Sequence, residues 1–213
     1  MIILAIDTST DYLSLAILKD GRIVAKFHKK ADRKHSMLLV PTIEKLLKKA
    51  KLNIKKIDCF AISSGPGSFT GLRIGVTVVK GLAYALNKNI VSVPTLDVIA
   101  DNAKSFKGAI CPVLDARKNK VYACLYKSDG TKIRKISKYL LLPLEELLRK
   151  LSKYDKVMFL GDTENNNFKG DYHPKAEVVA RLGAEYCKAK KFVKAEDLEP
   201  LYLYSHECDI IGR

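Results

Sequence analysis

Residues 3–27 read ILAIDTSTDYLSLAILKDGRIVAKF, and residues 109–137 read AICPVLDARKNKVYACLYKSDGTKIRKIS. Each stretch opens with an apolar strand ending on a carboxylate, Asp7 in the first and Asp115 in the second. A polar turn follows, then a second apolar run (residues 12–18 and 121–126), an Asp-Gly hairpin signal (Asp20-Gly21 and Asp129-Gly130) and a third strand. The two carboxylates of each copy are 13 and 14 residues apart, and 108 residues separate Asp7 from Asp115. A repeat of that length points to two duplicated lobes and not to a solenoid, whose repeats are roughly 20–50 residues.

Working outward, each triplet of strands leads into a helix and a further strand. In the first copy, Ser36 is a candidate N-cap for a helix over 36–50 with Leu39, Ile43, Leu46 and Leu47 at helical spacing, and Pro41 within its first turns. Residues 57–63 form an apolar strand, 70–86 a second helix, and 89–94 another strand. The second copy continues with a helix over 144–151, a strand over 156–161, an Asn-rich loop and a helix over 176–191. Two copies of three antiparallel strands followed by helix and parallel strand resemble the bilobal α/β fold of actin, sugar kinases and the heat-shock ATPases, the ASKHA class. The expected division is an N-terminal lobe over 1–103 and a smaller C-terminal lobe over 104–213.

Composition limits the function classes. Hydrophobic residues make up 47% of the 213, enough for a sizeable core. The longest fully apolar runs are far short of the roughly 18 residues of a membrane span, and MIILAI reads as a buried strand without a signal peptide's basic leader. A cytoplasmic protein without membrane association is expected. Five scattered cysteines and four histidines show no metal-ligand spacing, the pattern of reduced structural thiols. The net charge of +15 invites a nucleic-acid reading, but only eight of the 38 basic residues are Arg and the rest are Lys spread along the chain. The charge permits a polyanion partner without specifying one.

Between strand 57–63 and helix 70–86 lies SGPGSFTGLRIG (64–75). It lacks the Gly-Lys-Ser/Thr of a Walker A loop, and its GxGxxxG spacing is one residue too long for the dinucleotide fingerprint. On a helical wheel, Arg73, Thr77, Lys80 and Tyr84 form one polar stripe, with Gly71, Gly75, Val78 and Leu82 opposite and Leu72, Val76, Val79 and Ala83 on a flank. A helix apolar around most of its circumference needs cover on more than one side. Gly71 and Gly75, lacking Cβ, are expected to let a partner helix approach closely. The first helix shows a similar surplus, with Met37, Leu38 and Val40 beside its core positions. Phosphate turns of the actin-like fold carry Asp-x-Gly, whereas Asp7-Thr8-Ser9 and Asp115-Ala116-Arg117 have no glycine. The first is a vestigial phosphate turn, and both Asp residues read equally well as turn caps. The adenosine segment should hold paired glycines, and GDTENN (161–166) has one.

ILAIDTST (3–10), SGPGSFTGLRIG (64–75), VPTLDVIA (93–100), LDARKNKVYACLY (114–126) and EPLYLYSHECD (199–209) together resemble the TsaB family, a degenerate relative of the TsaD-type transferases. In those catalytic relatives the helix after residues 89–94 carries His-x-x-x-His for a metal; the matching positions here are Thr95 and Ile99. The resemblance implies a pseudoenzyme subunit with no cofactor of its own, metal and ATP belonging to partner subunits. It implies docking on a TsaD-like transferase that moves a threonylcarbamoyl group onto N6 of the adenosine 3′ of the tRNA anticodon. A small TsaE-like ATPase joins such complexes in bacteria, tRNA is met through the complex, and the subunit alone forms a homodimer through the same surface. The expected interface residues are Ser36, Leu39, Ile43, Leu46, Leu47, Gly71, Leu72, Gly75, Val78, Val79 and Leu82. An active actin-like kinase or ATPase is the alternative; a peptidase finds no nucleophile–base pair, and an independent RNA-binding module rests on net charge alone.

Overall fold

The structure is a computed structural model and describes residues 1–162 and 171–204. The chain divides into two compact units, Met1–Ile99 with His173–Pro200, and Ala100–Tyr172 with Leu201–Arg213.

The first unit is built on a five-stranded sheet of order β3-β2-β1-β4-β5. Its strands are β1 (Ile2–Asp7), β2 (Tyr12–Lys19), β3 (Arg22–Lys30), β4 (Cys59–Gly65) and β5 (Asn89–Pro94). β1 to β3 run antiparallel, and β4 and β5 are added parallel to β1 after the helical crossovers α1 (His35–Lys49) and α2 (Phe69–Leu86). Period-two alternation divides each strand between two cores. Leu4, Ile6, Leu13, Leu15, Phe60 and Ile62 face α1 and α2, while Ile3, Ala5, Ala16, Ala61, Val91 and Val93 face the other way. The short helix α3 (Thr95–Asp101) follows β5.

The second face is covered by a helix far along the chain. In the order of later elements it is α5 (Ala176–Lys188), preceded by β6 (Lys107–Asp115), β7 (Lys120–Ala123), β8 (Tyr126–Asp129), β9 (Ile133–Lys135), β10 (Leu140–Pro143), α4 (Leu144–Leu151) and β11 (Val157–Asp162). The backbone N–H of Ala176 donates to Ser14 Oγ at 2.9 Å, and Cys187 Sγ lies 3.2 Å from Cys59 Sγ. Gly183 allows this contact: a Cβ there would stand 2.8 Å from Ala61 Cβ. The expected boundary at 103/104 therefore requires correction, because residues 173–200 pack on the first sheet. Without α5, the apolar face of Ala61, Val91 and Val93 would stand open to water.

The second unit repeats the strand plan with β6 at its centre, in the order β10-β7-β6-β8-β9 and with β11 parallel to β6. The strand expected over 121–126 is interrupted at Cys124–Leu125, so β7 and β8 pair with successive stretches of β6. Leu147 and Leu151 of α4 close that core. Two sheets with this repeated topology and crossover helices define the actin-like, sugar-kinase-like α/β class expected from the sequence.

Among the described helices, α2 alone is long and apolar enough to cross a membrane by length and composition, and 33% of it is buried. Its inward residues dock on β1 and β4, which makes it a structural helix of this unit with apolar surface to spare.

Candidate functional site

Asp7 ends β1 beneath the glycine loop and is fully buried. Ser9 donates to its carboxylate from the backbone N–H and from Oγ, each at 3.1 Å, closing a local turn. Burial pushes the Asp7 carboxyl up to about 6, and the neighbouring Ser63 hydroxyl together with the hydrogen bonds from Ser9 offsets only part of that. The next two residues are committed to α2. Thr8 Oγ1 donates to the carbonyl of Gly71 at 2.8 Å, and the Ser68 N–H, at the helix N-cap, donates to the carbonyl of Ser9 at 2.7 Å. Ser68 Oγ in turn accepts from the Gly71 N–H at 3.2 Å, the side-chain cap of α2.

The glycines have a different task from the one expected of them. A Cβ on Gly67 would collide with the Ser9 carbonyl, one on Gly71 with the Thr8 carbonyl, and one on Gly75 with Thr8 Oγ1 and Ile62. Their missing side chains admit the chain's own 7–10 turn, not a partner helix. Asp7, Thr8 and Ser9, the residues expected to form a vestigial phosphate turn, are at most 1% exposed and lie covered by the N-terminus of α2. A helix N-terminus able to hold an anion here holds the Ser9 carbonyl.

The second-unit counterpart is exposed and equally local. Asp115 Oδ1 accepts from the Arg117 N–H at 2.8 Å, and Asp115 pairs with the Arg117 guanidinium at 3.2 Å. Arg117, Lys118 and Asn119 all have positive φ, which makes a tight turn without glycine. Both carboxylates thus cap their turns. Of the expected adenosine segment, Gly161 lies in β11 against Val113, and residues 163–166 lie outside the described residues. Thr95 is buried with Oγ1 accepting from the Gly65 N–H at 3.1 Å, and Ile99 is buried in the core. Among the described residues no group of three or more His, Cys, Asp or Glu is placed to hold a metal ion.

Surface chemistry collects on α1 and α2. Leu39, Ile43, Leu46 and Leu47 of α1, and Gly71, Leu72, Gly75 and Val79 of α2, are buried in their own unit; as expected interface residues they are corrected to core. Ser36 is exposed inside the first turn of α1, whose N-cap is Lys34, so it caps nothing. Val78 and Leu82 keep part of their surface. The larger apolar surface belongs to Met37 (72% exposed), Leu38, Val40 (47%), Phe69 and Tyr84 (84%). Arg73 stacks over the Phe69 ring at 3.8 Å. A groove of about 350 Å³ is lined by Val40, Ile43, Glu44, Leu47 and Lys48 of α1, by residues 52–54 after it and by Leu82 of α2. Phe69 and Tyr84 escaped the wheel argument, since Phe69 precedes the expected helix start and Tyr84 sits in the polar stripe. Met37 and Val40 carried a readable signal, being apolar yet off the stripe of Leu39, Ile43 and Leu46.

An actin-like α/β frame whose 7–10 turn is buried under the N-terminus of α2, beside two helices with apolar surface left over, defines a member of the actin-like, sugar-kinase-like fold class. The family model described as TsaD, tRNA N6-adenosine threonylcarbamoyltransferase, matches residues 26–183. The tRNA threonylcarbamoyladenosine biosynthesis protein TsaB of Bacillus subtilis (strain 168) is 32% identical over 98% of this chain and 96% of its own length. That of Escherichia coli (strain K12) is 36% identical over 61% of this chain and 56% of its own. The solved structure of YeaZ from Pseudomonas aeruginosa matches 95% of this chain and 99% of its own at a TM-score of 0.82 and 29% identity. The chain belongs to the TsaB family.

Proposed function

We propose that this chain is a non-catalytic scaffold and activator subunit in tRNA threonylcarbamoyladenosine biosynthesis. It docks through the exposed faces of α1 and α2 on a TsaD-like transferase, which carries the threonylcarbamoyl transfer to N6 of the adenosine 3′ of the anticodon. Metal and ATP belong to partner subunits of this cytoplasmic complex, a small TsaE-like ATPase among them in bacteria. Without its partner the chain pairs with a second copy through the same face.

The observation that carries the proposal is the exposed apolar surface of Met37 and Val40 on α1 and of Phe69 and Tyr84 on α2, together with the groove between the helices that Val40 and Leu82 line. Surface of this kind, rimmed by Glu44, Lys48 and Arg73, is what an associating face presents. The buried Asp7-Thr8-Ser9 turn supports the non-catalytic half of the reading, since a phosphate could reach it only by displacing α2.

The test is co-purification with the TsaD-like protein, followed by a tRNA modification assay with each subunit omitted in turn. Modification requires both, and the isolated chain turns over no nucleotide. Met37→Asp with Val40→Asp replaces two exposed side chains one helical turn apart. Burial of each on association contributes on the order of 1–2 kcal/mol, so partner affinity falls roughly a hundredfold while the melting temperature holds. Nucleotide hydrolysis by the isolated chain, abolished by Asp7→Ala, would establish the kinase or ATPase alternative.

A further inference from the structure

The positive charge of the first unit is gathered at one end of its sheet. Register places the starts of β1, β3, β4 and β5 and the finish of β2 together there: Ile2 pairs with Lys19, Lys19 with Arg22, Ile3 with Cys59, and Cys59 with Asn89. The C-termini of α1 and α2 reach the same end, α2 feeding directly into β5 and α1 reaching β4 through the short segment 50–58 with its 3-10 turn. α5 also terminates there, with Cys187 against Cys59 and the Val193 N–H donating to the carbonyl of Ile90 at 2.9 Å. Segments 19–22, 48–58, 88–89 and 188–191 therefore share one end of the unit. They hold 11 of its 22 Lys and Arg but two of its 12 Asp and Glu, which is +9 of the unit's net +10.

Helix dipoles explain part of this. Lys48, Lys49 and Lys188 occupy the last turns of α1 and α5, where cations are favoured. Lys55, Lys56 and Lys191 lie beyond any last turn of these helices and are exposed. The lysines of 48–58 and 188–191 form no salt bridge with any described residue. Like charges crowded with few counter-ions among the described residues destabilise the folded unit, so a surface of this kind suits an extended anion.

We infer that this end of the first unit is a binding surface for the RNA phosphate backbone, lying against tRNA beside the partner-docking face. The inference rests on the tRNA-modification reading and extends it to direct contact by this subunit. Five strands about 4.8 Å apart, with helices on both faces, span a width of roughly 20 Å, enough for several successive phosphates. Ten of the eleven cations are Lys, point charges that position a backbone, and one is Arg, whose fork reads base edges. The surface therefore contributes affinity and orientation, and leaves sequence selection to other parts of the complex.

The test compares the unaltered chain with two quadruple variants, alone and bound to the TsaD-like protein, using an unmodified tRNA transcript in a fluorescence-anisotropy titration at several salt concentrations. One variant carries Lys55→Gln, Lys56→Gln, Lys190→Gln and Lys191→Gln. The control carries Lys127→Gln, Lys132→Gln, Lys138→Gln and Lys153→Gln in the second unit, all exposed and equal in charge removed. The first loses about tenfold or more in tRNA affinity, and its log–log salt slope becomes shallower by roughly 3, about one per lost phosphate contact. The control keeps both values. Equal losses in the two variants, unchanged binding in the first, or binding to phosphatidylserine vesicles in place of tRNA overturns the inference. Partner co-elution, measured on the same samples, separates the two proposals: a first variant that assembles normally and binds tRNA normally refutes the RNA surface and leaves the scaffold reading intact.

Discussion

Replacing Asp7 by asparagine tests the burial of the first-lobe turn through its effect on pH-dependent stability. Asp7 is fully enclosed, and its carboxyl is pushed up to about 6 in the folded chain against 3.8 in an unfolded one. The folded state therefore holds a proton through a window, about pH 4 to 6, in which the unfolded state has released it. Stability must then fall as pH rises across that window, because the native state binds more protons than the unfolded state does. A difference of that size corresponds to about 3 kcal/mol, all of it lost above about pH 6. The amide of Asp7→Asn cannot titrate. Its Oδ1 can still accept from the Ser9 N–H, and the Ser9 hydroxyl can rotate to accept from the new NH₂ group. Urea unfolding of both proteins at half-unit steps from about pH 4 to 8 isolates this contribution, since every other titrating group cancels in the difference. Asp7→Asn gains on the wild type as pH rises and is the more stable protein near neutral pH, by up to about 3 kcal/mol. Parallel profiles across the same range would refute the reasoning, showing Asp7 hydrated and the turn open.

Gly71→Ala places a methyl against the Thr8 carbonyl, a backbone atom with no freedom to retreat, and lowers the unfolding free energy by roughly 1–3 kcal/mol in denaturant titrations. Gly75→Leu drives a larger group onto Thr8 and Ile62; it lowers the melting temperature of the isolated chain, which separates a folding defect from a docking defect. Thr95→Val keeps the side-chain shape but leaves the Gly65 N–H unsatisfied in the interior, a loss of about 1–3 kcal/mol by the same assay. Gly183→Val prises α5 from Ala61 and Val91, exposes the second face of the first sheet, and is detected as increased binding of a hydrophobic dye.

The repeat of strand, Asp, strand, Asp-Gly and strand made the fold class legible, because turn chemistry and apolar runs are local properties. The position of α5 was not legible in that way. Residues 176–188 follow the second copy in the chain and show an apolar stripe, but a stripe does not say which sheet it covers. That was decided by a contact 128 residues away, Cys187 on Cys59. The interrupted strand at Cys124–Leu125 was hidden for a related reason: VYACLY is uniformly β-forming, and the break follows from how its halves pair with β6. On α1, Leu39, Ile43, Leu46 and Leu47 were readable as one stripe, and assigning them to an interface left the sheet's own core of Leu13, Leu15 and Ile17 without cover.

The glycine loop shows the limit most clearly. A glycine without positive φ, such as Gly71 or Gly75, reports that some backbone comes close, and the sequence around it does not name that backbone. The surplus of apolar residues on α2 suggested a partner, yet the approaching atoms are the Thr8 carbonyl and the Thr8 hydroxyl of the same unit. With Gly71, Gly75, Leu72 and Val79 turned inward, the outward surface falls to Phe69, Val78, Leu82 and Tyr84, and on α1 to Met37, Leu38 and Val40. The same close approach that buries Asp7 also fixes the seat of α2 on the sheet, so the buried turn and the apolar face proposed for docking have one structural cause. A substitution that reopened the turn by displacing α2 would therefore disturb partner binding as well, whereas Met37→Asp with Val40→Asp would disturb partner binding alone.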